Sequence, residues 1–150
     1  MAFTGQTETG QPVSYVDGKR YLYFMSVLWP TIPTLSVIAY YATGGNVLTT
    51  LIPVLFIFGL VPLVDAIIGE DLNNPPEEVV NDMANDQFYR ILVMSTVPLF
   101  WISFISTAWM VGTENLPWWS ILALVIGVGT TNGSCLTTGH ELGHKHSPWD

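Results

Sequence analysis

The sequence predicts an all-α integral membrane protein, a bundle of four transmembrane helices, on three observations. Hydrophobic residues make up 49% of the 150 and charged residues 11%, where soluble domains carry roughly a quarter charged residues. Four stretches approach the roughly 20 apolar residues that about 30 Å of hydrocarbon demands. Clusters of Gly, Asn, Pro and acidic residues separate them, the usual chemistry of turns.

The chain opens with a polar arm, residues 1–20, followed by a membrane domain over 21–150. The apolar stretch after the arm is too long for a signal-peptide core and lacks a small-residue cleavage pattern, so it is expected to be a retained first span. The spans are predicted near Tyr21–Tyr41, Val47–Ile68, Ile91–Val111 and Trp118 to about Thr138. Thr43-Gly44-Gly45-Asn46 reads as a tight connection between the first two, and Gly112-Thr113-Glu114-Asn115-Leu116-Pro117 as another between the last two. Trp118 and Trp119 suit a membrane interface at the start of the fourth span. Pro30, Pro33, Pro53, Pro62 and Pro98 fall inside spans, and each is expected to bend its helix.

The net charge of −8 does not describe an acidic fold, because Asp65, Glu70, Asp71, Glu77, Glu78, Asp82 and Asp86 crowd into one stretch. With four Lys and Arg in all and no basic stripe, nucleic acid is excluded as a partner. Cys135 lies in an apolar segment without a disulfide partner and reads as a small packing residue. Lys19, Arg20, Arg90 and Lys145 all fall on one side of the predicted spans. The positive-inside rule then places the N-terminus, the loop 69–90 and the C-terminal end in the cytoplasm. Within that loop Pro75-Pro76-Glu77-Glu78 suits a helix start, and Val79, Val80, Met83 and Ala84 recur at helical spacing. A short interfacial helix is expected, its acids forming a solvated face.

Chemistry concentrates in Thr138-Gly139-His140-Glu141-Leu142-Gly143-His144-Lys145. On a helix His140 and His144 stand one turn apart on one face, where two imidazoles can grip a metal; the plain alternative is two interfacial histidines without one. Glu141 lies about 100° around the helix, placed to support a ligand rather than to be one. His146 points away from the shared face and reads as surface. Asp65 sits one turn inside the cytoplasmic end of the second span, where an ionisable group is costly. It either orients a ligating histidine or reaches to the membrane edge. Above His140 lie Thr137, Leu136, Gly133 and Gly129, which either pack helices closely or leave a narrow apolar channel.

Thr138–Lys145 resembles the first histidine box of the membrane-bound alkane 1-monooxygenases. The run Leu63-Val64-Asp65-Ala66-Ile67-Ile68-Gly69-Glu70-Asp71-Leu72-Asn73-Asn74-Pro75-Pro76-Glu77-Glu78-Val79 resembles the segment after that family's second span. Tyr15-Val16-Asp17, Lys19, Tyr21-Leu22 and Leu28-Trp29-Pro30 are similar to its approach to the first. The resemblance implies a six-helix fold in a bacterial inner membrane, four of whose helices are present here. It also implies a cytoplasmic site of two iron ions without haem or bound flavin, with His140 and His144 as iron ligands. The reaction implied is O2-dependent hydroxylation of the terminal methyl of medium-chain alkanes, with electrons from rubredoxin and its reductase. The family's later histidine boxes lie downstream of the first and this sequence stops at Asp150, so a fragment rather than a self-sufficient enzyme is expected. The alternative is an intramembrane zinc metalloprotease of the site-2 type, in which Glu141 of the His-Glu-Leu-Gly-His motif would activate water. A helix-packing protein without catalysis leaves Asp65 and the histidines unexplained.

The orientation has a direct test. A cysteine placed at Asn74 should resist impermeant thiol reagents applied outside intact cells and react once the membrane is opened; strong external labelling would invert the topology.

Overall fold

The computed structural model describes residues 1–7, 9–69 and 74–143, the side chains of Asn81, Ala84 and Glu141 to Gly143 excepted. It is mostly helical. Among the described residues four helices are long and apolar enough to cross a membrane: Arg20–Ala42, Val47–Ile68, Gln87–Thr113 and Trp118–His140, spans 1 to 4. These are the predicted four. Span 3 starts a turn earlier than expected because the Asp86 side chain caps it, accepting from the Phe88 N–H at 2.9 Å. Such a carboxylate satisfies one of the free donors at a helix start.

Proline shapes the spans unequally. Span 1 alternates 3-10 and α segments, with Pro30 and Pro33 at the starts of the segments Trp29–Thr31 and Ile32–Ala42. Span 2 passes from a 3-10 segment, Val47–Leu51, to α, then through a π turn, Phe56–Leu60, before Pro62 opens its last α segment. The missing proline N–H and the ring's clash with the preceding turn account for these changes of winding. Pro98, by contrast, sits in the unbroken helix Gln87–Thr113.

Packing is inverted relative to a soluble protein. Leu55, Phe58, Trp101, Trp109 and Leu136 are exposed, while Ser36, Thr50, Ser103, Ser120 and Thr131 are fully buried. Hydrocarbon offers apolar side chains no reason to leave it, so small and hydroxylated residues line membrane helix contacts. Spans 1 and 3 pack together, as do spans 3 and 4, and the first half of span 2 lies against span 4. The predicted turn between spans 1 and 2 holds Gly44 and Gly45 at φ of 70° and 92°, a conformation that side chains with a Cβ resist. Asn46 then caps span 2 through Leu48 N–H. At this end Val37, Tyr40, Met110, Leu116 and Leu124 form an apolar cluster. Beside it the Tyr40 and Tyr41 hydroxyls donate to the two oxygens of Glu114 at 3.2 and 3.0 Å.

The arm is where the sequence reading fell short. It contains an antiparallel hairpin, β1 (Ala2–Gln6) and β2 (Pro12–Val16), with Ala2 opposite Val16 and Gln6 opposite Pro12. β1 packs on the expected linking helix, Glu77–Ala84. Phe3 and Val79 are buried, and a Cβ on Gly5 would stand 2.2 Å from the Glu78 carbonyl oxygen. The acids are only partly a solvated face. Asp82 accepts from the Thr4 N–H at 3.3 Å, and Asp86 pairs with Arg20. The Arg20 guanidinium lies 4.2 Å from the Phe88 ring centroid, and the Tyr89 hydroxyl donates to Asp17. The arm and the loop before span 3 therefore occupy the same side of the bundle.

The Arg20 guanidinium, and then the Phe88 N–H, hold the Asp86 carboxyl below the usual carboxylate range. A depressed folded-state pKa stabilises above the ordinary range, and that contribution disappears as pH falls through the lowered value. Hydrogen exchange of the β1 amides should thus be constant from neutral pH down to the ordinary range, once corrected for intrinsic rates, and accelerate below it. Asp86→Asn keeps a capping oxygen but not the charge, and should show the faster exchange already at neutral pH. Identical exchange in both proteins would show that the Arg20–Asp86 pair does not order the hairpin.

Candidate metal-binding end of the fourth span

Span 4 belongs to a helix that runs on to Gly143, so the segment from Thr138 through Glu141 is helical as expected. His140 is exposed on it. The Glu141 side chain and all of His144 and His146 lie outside the described residues, so the shared face of the two box histidines rests on the helical repeat. Among the described residues no three His, Cys, Asp or Glu side chains gather as a metal cluster. The donor chemistry is compatible with iron, since imidazole is a good iron ligand, but two imidazoles are an incomplete set.

Asp65 lies in the stretch from Phe58 to Gly69, every residue of which is exposed. It lines a groove with Met25, Phe56, Leu60, Val61, Val64 and Ile68. That groove is built from spans 1 and 2, with no residue of span 4. The Gly69 N–H closes the helix end on the Asp65 carbonyl at 2.9 Å.

The small residues above His140 divide differently from either simple expectation. Gly129 and Gly133 are exposed, and a Cβ at either would meet nothing within 4 Å. They are not a helix contact among the described residues. The glycine that packs is Gly127, where a Cβ would stand 2.4 Å from the Pro53 Cβ of span 2. Ser120, Ala123, Gly127 and Thr131 are all buried, so the packing face is this neighbouring series. The sequence carried both series interleaved in Gly127-Val128-Gly129-Thr130-Thr131-Asn132-Gly133, and among the described residues it is the Gly127 series, not the Gly129-x-x-x-Gly133 pattern, that meets a neighbouring helix.

Gly129 and Thr137 border cavities between helices. Gly129 lines one of about 370 Å³ with Phe104, Thr107, Leu124, Val128 and Asn132. Thr137 lines another of about 310 Å³, with Ser26, Trp29, Val93, Thr96 and Ser134 among its walls. Leu136 is 81% exposed and, like Gly133, borders neither. The Trp29 indole N–H, which sequence reading did not single out, crosses this second cavity wall to the Ser134 hydroxyl at 3.1 Å.

Gly127→Ala forces the span 4 backbone away from Pro53, and should destabilise the bundle by about 1–3 kcal/mol, as overpacking of a filled contact does. Gly133→Ala meets open space and should be neutral or gain up to about 1 kcal/mol from helix propensity. Thermal unfolding of the two variants in the same detergent checks the pair. Equal midpoints would contradict the assigned packing face.

No family model matches the sequence. Relatives are nevertheless clear. The chain is 42% identical over 136 residues to the alkane 1-monooxygenase of Pseudomonas putida, a match that covers 91% of this chain and 34% of that protein. It is 44% identical to the alkane 1-monooxygenase of Ectopseudomonas oleovorans over the same shares. It is 43% identical to alkane 1-monooxygenase 1 of Alcanivorax borkumensis, across 91% of this chain and 33% of the relative. The chain spans about a third of the length of these curated relatives. With its four apolar helices and its histidine motif at the end of the last, this chain is a homologue of the alkane 1-monooxygenases, matched along 91% of its own length.

Proposed function

We propose that the protein is a membrane-bound alkane 1-monooxygenase, which hydroxylates the terminal methyl of medium-chain alkanes with O2, and that this chain supplies the first part of its metal site. The observation that carries the reading is the Thr138–Lys145 histidine box at the end of a lipid-embedded span, in a chain 42% identical to an alkane 1-monooxygenase. His140 and His144 hold iron in a two-iron centre whose other ligands come from elsewhere in the protein. Bound iron supplies the activation of O2, which no side chain can provide. The chain's own residues bind and orient. Glu141 supports the ligands, and the faces around Gly129, Gly133, Leu136 and Thr137 confine the alkane by shape, as an apolar site does. Linear alkanes partition into the bilayer, so an opening between helices receives them directly.

Electrons come from rubredoxin, itself supplied by rubredoxin reductase. The histidine box and the arm face the cytoplasm of a bacterial inner membrane, within a fold of six spans. Rubredoxins are acidic, and like charges suppress association, so the donor docks away from the loop that carries Glu77 and Glu78.

In the protein loaded with iron, His140→Ala and His144→Ala should each abolish octane hydroxylation and strip most of the metal, while Glu141→Gln should keep it. Elemental analysis of the purified wild type decides between the two chemistries that a His-Glu-x-x-His motif permits. Two irons per chain are expected. One zinc per chain, with peptide-bond cleavage lost in Glu141→Gln, would establish the metalloprotease instead.

A further inference from the structure

We propose that Trp29 is a positioning residue for the metal site, acting through its hydrogen bond to Ser134 to set the depth and rotation of the helix end that bears His140. The proposal rests on the metal-binding reading of that end. Trp29 touches no reacting atom.

The geometry singles out this bond among the hydroxyl contacts of span 4. Thr130, Thr131, Thr137 and Thr138 donate back to carbonyls of their own helix, at Ile126, Gly127 and Ser134. That is the ordinary resort of a hydroxyl within a span. Ser134 does the same, donating to the Thr131 carbonyl at 2.6 Å, and with its donor so committed its oxygen accepts from the Trp29 indole at 3.1 Å. An indole N–H can only donate, and of the hydroxyl side chains that line the cavity beside it, Ser134 is the one it reaches. It is fixed at both ends. On the span 1 side Trp29 opens the short segment Trp29–Thr31, with buried Pro30 next to it. Its ring meets Phe56 of span 2 edge-on at 6.3 Å, where the π turn begins. Trp29 thus joins three spans.

Its partner is well placed to matter. Ser134 precedes His140 by six residues, about 9 Å along the axis, and between them span 4 makes no contact of the Gly127 kind among the described residues. A Cβ at Gly133 or Gly139 would meet nothing within 4 Å, and Leu136 and Thr137 are exposed. Gly127 locks span 4 two turns earlier, and the Trp29 bond carries that register toward the histidines.

The test uses the protein in nanodiscs, with Trp29→Phe, Ser134→Ala, the double variant and Ser134→Thr. Phe keeps the ring against Phe56 and Thr keeps the accepting hydroxyl, so ring packing and the indole hydrogen bond are separated. A nitroxide at Gly139→Cys, in a Cys135→Ser background, reports depth by its collision rates with oxygen and with a water-soluble nickel chelate. Trp29→Phe and Ser134→Ala should shift the collision ratio to the same new value, the double variant should go no further, and Ser134→Thr should restore it. Iron loss to a chelator should accelerate about threefold to tenfold in the same pattern. An unchanged collision ratio in Trp29→Phe and Ser134→Ala would overturn the proposal, as would additive shifts in the double variant. The nitroxide needs no metal: if the wild type proved to bind no iron, the functional reading would fall, while the collision ratios would still judge the Trp29 bond.

Discussion

Where span 4 crosses span 2, the chain brings Gly127 so close to Pro53 that the space for a Cβ is already taken. Apolar side chains gain nothing by leaving lipid for one another, so a membrane bundle coheres through close backbone approach and interhelical hydrogen bonds. Pro53 presents a flat ring with no N–H to satisfy, and Gly127 presents bare backbone. Ser120, Ala123 and Thr131 extend the same buried strip. Once that face of span 4 is committed, the face with Gly129, Gly133 and Leu136 turns outward, and His140 follows on the helix beyond.

The two ends of the bundle are held by different chemistry. At one end Glu114 receives two tyrosine hydroxyls, tying span 1 to the connection between spans 3 and 4 beside the apolar cluster of Tyr40, Met110 and Leu124. At the other, Arg20 lies between Asp86 and the rings of Phe88 and Tyr89. An arginine satisfies a carboxylate and an aromatic face at once because its guanidinium is planar and weakly hydrated. This second clamp also fixes the hairpin and the linking helix against the foot of span 3. The histidine-bearing end of span 4 belongs to this same side of the bundle.

The proposed function makes this site a metal centre set at the end of a lipid-embedded helix. A helix holds two imidazoles one turn apart with little freedom, provided the helix itself neither slides nor turns. Packing at Gly127, with the indole bond at Ser134, gives that restraint from two sides, while cavities beside Gly129 and Thr137 leave apolar room next to the same helix. Under the function proposed above, rigid support and an adjoining apolar space are what this stretch of chain would contribute to hydroxylation of a hydrocarbon.

Much of this was legible in the sequence because it depends on local patterns. Apolar length marked the four spans, Gly44-Gly45-Asn46 marked their first turn, Pro75-Pro76-Glu77-Glu78 marked the linking helix, and the helical repeat placed His140 and Glu141 on the last one. What the sequence left open depends on which parts of the chain meet. The arm's strands are too polar to announce a buried face, and they are ordered by a helix some seventy residues away. Asp65 was expected near the histidines by depth alone, but depth does not say which span it faces, and its groove is shared with span 1. Two interleaved series of small residues run along span 4 with the same period, so periodicity could not choose between them. Only the ring of Pro53 on the neighbouring span does, because its Cβ and Cγ already fill the space that a side chain at Gly127 would need.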